Sequence, residues 1–154
     1  MRRLLHEERG DTPVLVLGIS AVLVLMLLVL GMVDFLGALA VREQVHGALV
    51  TATRASARQV DYRAWVLEQR VVLRPPNATF RQLIRSNLEL DAAGNPLEQG
   101  GVIEGPVQAS AAVRTVRGRP AVVGEVEVPI RTQFLGFRAN LRLEYTAFPH
   151  AVGG

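Results

Sequence analysis

The sequence predicts an α+β chain with a long N-terminal helix, a short second helix and an antiparallel sheet of three to four strands. Three observations carry this expectation. An unbroken apolar run occupies Pro13 to Val33. A helical repeat of apolar residues follows the break at Pro75-Pro76. Past Gly101 the apolar period switches to two, the spacing of strands with one buried face.

The run reads PVLVLGISAVLVLMLLVLGMV and contains no charged residue. Its 21 residues span ~31 Å as a helix, close to the ~30 Å hydrocarbon core of a bilayer. Start signals precede it. Thr12 can serve as N-cap and Pro13 as first helical residue, while Asp11 puts negative charge near the positive end of the helix dipole. Arg2, Arg3 and Arg9 lie before the run, among Glu7, Glu8 and Asp11. The positive-inside rule counts the arginines and gives the acids little weight. Residues 1–12 therefore read as a cytoplasmic leader, 13–33 as a single-pass transmembrane helix, and the remainder as an extracytoplasmic part.

Two further readings of the run involve cleavage. Ala38-Leu39-Ala40 matches a small-x-small signal-peptidase site, and the alternative function is an extracytoplasmic binding module, secreted by a cut after Ala40 or left membrane-anchored. The apolar stretch is longer than the usual ~7–15-residue signal core, however, and Asp34 stands between it and the site. Alternatively, a short charged N-terminus ending in Gly just before the apolar helix resembles a pilin-type leader, which would be cut between Gly10 and Asp11.

Beyond Val33 nothing stops the helix before about Asp61. Val41, Val45, Ala48, Leu49, Ala52, Ser56 and Val60 recur at helical spacing, with Arg42, Glu43, His46, Arg54 and Arg58 mostly off that face. One helix from Pro13 to about Val60 would be ~70 Å long, and residues 34–60 would be its exposed continuation. Gly47, Thr51 and Ala55 are four apart, as are Ala48, Ala52 and Ser56. Small residues at that spacing let helices approach closely, so one face can meet the chain's own domain and the other a neighbour. Asp34 is the only acid next to the span. It reads as a boundary marker or as a polar contact that registers neighbouring helices.

Residues 61–154 form the expected head. Residues 61–74 look helical or mixed, with Tyr62 and Trp65 packed at the far end of the long helix. Thr79-Phe-Arg-Gln82 has the form of a capping box, and Phe80, Leu83, Ile84 and Leu88 then mark an amphipathic helix. Asp91–Gly101 is a loop by composition. Three strands follow, on Val107–Val113, Val122–Ile130 and Ala139–Tyr145, with Val102-Ile103 as a fourth. Arg117–Pro120 and Leu135-Gly136 supply the turns, and the buried sheet face is expected on the outer half of the long helix. Pro129 should mark a strand end, a bulge or an edge. Phe134, Leu135 and Phe137 sit at a hairpin tip, as a cap on the core or a contact patch between subunits.

Composition narrows the function. Cysteine is absent, which excludes disulfides, thiolate metal sites and thiol catalysis. All 17 basic residues are Arg. From residue 41 on there are 14 Arg against 10 acids, thinly spread and without interleaved aromatics, so no nucleic-acid partner is expected. His6, His46 and His150 have no ligand spacing, and no HExxH, GxSxG, phosphate loop or dinucleotide turn occurs. No metal, cofactor or enzymatic activity is expected. Glu125 and Glu127 share a strand face and should be solvated opposite Arg142 or Arg138. Asn77-Ala-Thr79 fits a glycosylation sequon by pattern alone.

Glu8-Arg9-Gly10, the run 13–33, Asp34-Phe35-Leu36-Gly37 and the stretch Ala52 to Arg58 together resemble the TadE/TadG-like pseudopilins of Flp (Tad) pili. The resemblance covers about the first 60 residues, and the rest is similar in organisation to type IV pilin-like heads. It implies a structural minor pilin or assembly factor, processed by a prepilin peptidase between Gly10 and Asp11. Its partners would be membrane lipid, other pilin subunits and pilus assembly platform proteins. The chain departs from the pattern at the fifth position after Gly10, where such pilins usually carry Glu and this sequence has Leu15.

Overall fold

One helix, α1, runs unbroken from Asp11 to Ala57. Its 47 residues make a rod of ~70 Å. The computed structural model describes residues 11–59, 61, 64, 67–68, 72–98 and 101–149. The leader through Gly10, Tyr62 and Trp65 fall outside the described residues. α1 begins at Asp11 rather than after Thr12, so Pro13 is not its first residue. Pro13 still falls in the first turn, where a missing N–H has no intrahelical acceptor to lose.

The helix ends at Ala57, three residues short of Val60, because its backbone changes partners. The Arg58 and Gln59 N–H groups tighten the last turn onto Ala55 and Ser56 carbonyls. The chain then pairs with residues 72–74: Asp61 N–H donates to Val72 O at 2.7 Å and Arg74 N–H to Gln59 O at 3.0 Å.

Helix α2, Asn77–Asn87, follows the double proline. Phe80 and Ile84 are fully buried, Leu88 just past its end is also buried, and Leu83 packs half-buried against the core. The capping box does not form. The N-cap position is Pro76, and no side chain caps it. Thr79 lies inside the first turn, where it exchanges hydrogen bonds with the Gln59 side chain, the shorter at 3.1 Å. The hydroxyl thus ties α2 to the end of α1.

The sheet is an antiparallel meander, β1 (Gln108–Val116), β2 (Arg119–Arg131) and β3 (Arg138–Ala147), in the order β1-β2-β3. Arg117 and Gly118 join β1 to β2 with φ of 52° and 73°, the left-handed pair that a tight hairpin requires. The fourth strand reduces to one bridge, Ile103 with Ile130, flanked by hydrogen bonds from Glu104 N–H to Pro129 O and from Arg131 N–H to Val102 O. Pro129 lies in the central strand, but β1 stops pairing at Glu127. The Pro129 carbonyl faces the 102–104 segment. Its missing N–H would point to that same side, past the end of β1, where no ladder bond is forfeited.

The sheet packs on the outer half of α1 and on α2. Val45, Leu49 and Ala52 of α1 meet Phe80, Ile84, Val122, Val126 and Val128 in one core. Gly124 sets the spacing. A Cβ there would stand 2.7 Å from Phe80 Cε2 and closer still to Thr53 Oγ1, so both helices approach the strand at a bare backbone. At β3, Tyr145 meets the His46 ring edge-on with centroids 6.4 Å apart. It also lies under the Arg54 guanidinium at 5.8 Å.

Candidate functional site

The site is built where the apolar half of α1 meets the far end of the β2–β3 hairpin. From Val14 to Val29 every residue of α1 is exposed. The mean hydropathy of an 18-residue window here reaches 3.0, and none of that window is buried inside the chain. A helix this long and apolar can cross a membrane. The first half-buried positions are Leu30 and Gly31, followed by Asp34, which is only 6% exposed.

Asp34 is covered by its own chain. Its Oδ1 accepts the Phe134 N–H at 3.0 Å and its Oδ2 the Leu135 N–H at 2.7 Å. The Gln133 amide and Thr132 hydroxyl also point their donors at this carboxylate. Charge-assisted bonds of this kind are among the stronger ones, and an amide left without its acceptor here would be poorly solvated. One carboxylate therefore clamps the hairpin tip to the helix. The tip closes on itself as well, through Thr132 N–H to Phe137 O and Phe137 N–H to Thr132 Oγ1, both 2.8 Å. Gly136, with φ of 68°, supplies the left-handed residue the turn needs.

The clamp holds three large apolar side chains in the open. Phe134 is 53% exposed, Leu135 39% and Phe137 67%, so they do not cap the core. Leu135 reaches along α1 beyond Asp34, where a Cβ on Gly31 would touch its Cδ1 at 3.7 Å. Phe35, Leu36 and Leu39 of α1 are exposed nearby along the helix. Just above the tip, Glu104 pairs with Arg131 at 3.4 Å and with Arg138 at 2.9 Å.

The two small-residue rows of α1 face different ways. Ala48, Ala52 and Ser56 are buried against the chain's own head, whereas Gly47 and Thr51 are exposed and Ala55 half-exposed. The Thr51 hydroxyl bonds back to Gly47 O at 2.9 Å, and the exposed row carries only small side chains. Among the described residues the Ser56 hydroxyl is the buried side-chain polar group without a partner. Of the processing pair, Asp11 is the first residue of α1, and Gly10 lies outside the described residues.

α2 covers one sheet edge. Asn77 Oδ1 accepts the Ala111 N–H at 2.8 Å, and Arg81 Nε donates to Ala109 O at 3.0 Å. Two side chains one helical turn apart thus satisfy outward groups of β1 that would otherwise invite another strand. Beside this edge an open cleft of about 460 Å³ is lined by Arg81, Arg85, Glu125, Glu127 and Arg142 among others. Its charges answer one another: Glu125 pairs with Arg114 at 3.3 Å and Arg142 at 3.4 Å, and Glu127 accepts from Asn140 at 3.3 Å. Arg138 turns instead to Glu104. Among the described residues, no three or more His, Asp or Glu are grouped to hold a metal.

The loop after α2 is held by Asp91. Its carboxylate accepts the Asn95 N–H at 2.8 Å and the Asn95 side-chain amide at 3.2 Å. These bonds, the backbone one first, pull the Asp91 carboxyl below its ordinary value, against a smaller upward push from burial.

Sequence reasoning located Asp34, the tip aromatics and the small residues, but not the contact between Asp34 and the tip a hundred residues away. The available signal was a lone acid at the end of the span together with a tight, apolar turn whose amides need acceptors. Comparison with protein-family models, curated proteins and solved structures gives no match to this chain.

Proposed function

We propose that this chain is a structural subunit, a minor pilin-like protein or assembly factor of a Tad-like type IV pilus or secretion filament. α1 would anchor it in the membrane as a single pass, with the N-terminus cytoplasmic and the head outside. One observation carries the reading: a single 47-residue helix joins the apolar run to the core of the head without a break. A simple anchor needs no such continuity, because a flexible linker would serve it. A subunit that must hold its head at a fixed height above a packed bundle of helices does need it. The exposed strip Gly47, Thr51 and Ala55 offers a face on which a neighbouring helix could lie closely.

The partners on this reading are membrane lipid, other pilin subunits, assembly platform proteins and a prepilin peptidase acting between Gly10 and Asp11. No catalytic step is assigned. The secreted-module alternative is weakened by the site itself. A cut after Ala40 would fall inside an uninterrupted helix and would remove Asp34 from the hairpin tip it holds.

The test is the intact mass and N-terminal sequence of the mature protein recovered from its native membrane. A start at Asp11 supports the pilin-like reading, and a start at Val41 overturns it. Sheared surface fractions then separate two versions of the role. Recovery there marks a filament subunit, and retention in the membrane marks an assembly factor.

A further inference from the structure

The hairpin tip presents bulky apolar groups to solvent at the level where the apolar run ends. We propose that the β2–β3 tip is a second membrane contact, in which Phe134, Leu135 and Phe137 enter the interface of the bilayer beside α1. The proposal rests on the reading of α1 as a membrane span and goes beyond it by assigning a lipid-binding surface to the head.

Four observations support it. The first is depth. Leu135 packs at Gly31, three residues or ~4.5 Å along the axis on the span side of Asp34. A bilayer covering the run to Val33 therefore reaches the Leu135 side chain. The second is continuity. Phe35 at 63% exposure and Leu36 at 52% carry the exposed apolar surface of α1 past Asp34. The contact of Leu135 at Gly31 joins the tip to the exposed apolar surface of the helix.

The third is backbone satisfaction. A turn can enter a dehydrated interface only if its amides have acceptors. The Phe134 and Leu135 N–H groups bond Asp34, and the Phe137 N–H bonds the Thr132 hydroxyl. The fourth is the charge above the tip. Arg131 and Arg138 flank Glu104, with exposed side chains and one net positive charge. An apolar tip below and a basic pair above suit acyl chains and lipid phosphates respectively. Asp34 then has a mechanical role. It fixes the head against the helix, so that two contacts rather than one set the tilt of the head over the membrane.

The chain has no cysteine, which makes site labelling direct. Full-length Phe137→Cys, Val22→Cys and Arg117→Cys variants are labelled with an environment-sensitive NBD fluorophore. Each is reconstituted into phosphatidylcholine vesicles containing lipids spin-labelled either near the glycerol end or deep in the acyl chain. Arg117 is the control in the head, because its turn lies at the opposite end of β2, ~40 Å from the tip. The label at 137 is expected to emit blue-shifted and to be quenched most by the shallow spin label. The label at 22 should respond most to the deep one, and the label at 117 to neither.

Water-like emission at 137 with lipid quenching at 22 overturns the proposal and leaves the span intact. Water-like emission at both overturns the span and the proposal with it. Blue-shifted emission at 137 that no spin-labelled lipid quenches assigns the tip to a protein neighbour, which also overturns the proposal. Phe134→Cys repeats the measurement should the label at 137 perturb the turn, with the same outcomes deciding.

Discussion

The two halves of α1 share one backbone conformation and have opposite fates. Between Val14 and Val29 every side chain faces outward from the protein, although nearly all are large and apolar. Between Val45 and Ala57 the buried positions are small or β-branched apart from Leu49, and they are covered by the chain's own sheet. Helix formation is therefore indifferent to what the helix is buried in. The inner half is uniform around its circumference, which suits a solvent that is the same on all sides, such as lipid. The outer half is two-faced, because a sheet lies on one side only. The junction between these regimes runs from Gly31, where Leu135 first touches the helix, to Asp34, the first buried residue.

The largest expected difference between the halves is in stability. Leu49 is fully buried, and Leu49→Ala should destabilise the head by about 2–5 kcal/mol. Leu25 is 62% exposed, and Leu25→Ala should change head stability by less than ~0.5 kcal/mol. Denaturant unfolding of the head in detergent, followed by near-UV circular dichroism, checks both. Equal effects would mean that the inner half is packed within the head after all.

Glycines sharpen the contrast at the next scale. At Gly124 a Cβ meets Phe80 and Thr53, so Gly124→Ala should destabilise by about 1–3 kcal/mol through overpacking. At Gly47 nothing lies within 4 Å, so Gly47→Ala should stabilise the isolated chain by up to ~1 kcal/mol through helix propensity. Opposite signs in the same unfolding assay are the expected result. A loss at Gly47 would instead show that its face is already covered.

Much of this arrangement was legible from local pattern. The apolar run, the repeat at Phe80, Leu83, Ile84 and Leu88, and the alternation across β2 each reflect a period that one element imposes on its own sequence. What was not legible depends on distant partners. Thr79-Phe-Arg-Gln82 looks like a capping box, but Gln59 competes for the hydroxyl and Pro76 takes the cap position. Val102-Ile103 reads as a strand but contributes one bridge, because Gly105 and Pro106 follow at once and keep it from continuing. Both small-residue rows read alike, and only the position of the sheet separates the buried row from the exposed one. The bare face of Gly124 gives no signal in sequence, since an isolated glycine in a strand has several uses.

The clamp offers a more local test of the same boundary. Asp34→Asn keeps the shape of the side chain but replaces one acceptor oxygen with a donor. One of the two amides at Phe134 and Leu135 then loses its partner. Hydrogen exchange at these two amides should quicken, while amides in β2 around Val126 keep their protection. Unchanged exchange at the tip would show that packing of Leu135 on Gly31, rather than the carboxylate, holds the hairpin down.

Acid separates the regions by the smallest margin. From Pro13 to Val33 no residue titrates, so the inner half should be insensitive to pH. In the head, Asp91 has a carboxyl held below its ordinary value of 3.8 by the Asn95 backbone and side-chain amides. A lowered carboxyl stabilises the folded loop fully above the unfolded value, and that contribution disappears as pH falls through the folded one. Exchange at the Asn95 amide, corrected for its intrinsic pH dependence, should therefore stay slow down to about pH 4 and quicken below it. In Asp91→Asn the dependence should vanish, because the replacement has no proton to take up. The part of the change that comes from Asp91 should stay within residues 91–95, since both bonds come from Asn95. If acid instead quickened exchange along α1 before it reached Asn95, the helix would owe its outer stability to carboxylates elsewhere, and the division between an exposed apolar half and a sheet-covered half would have to be redrawn.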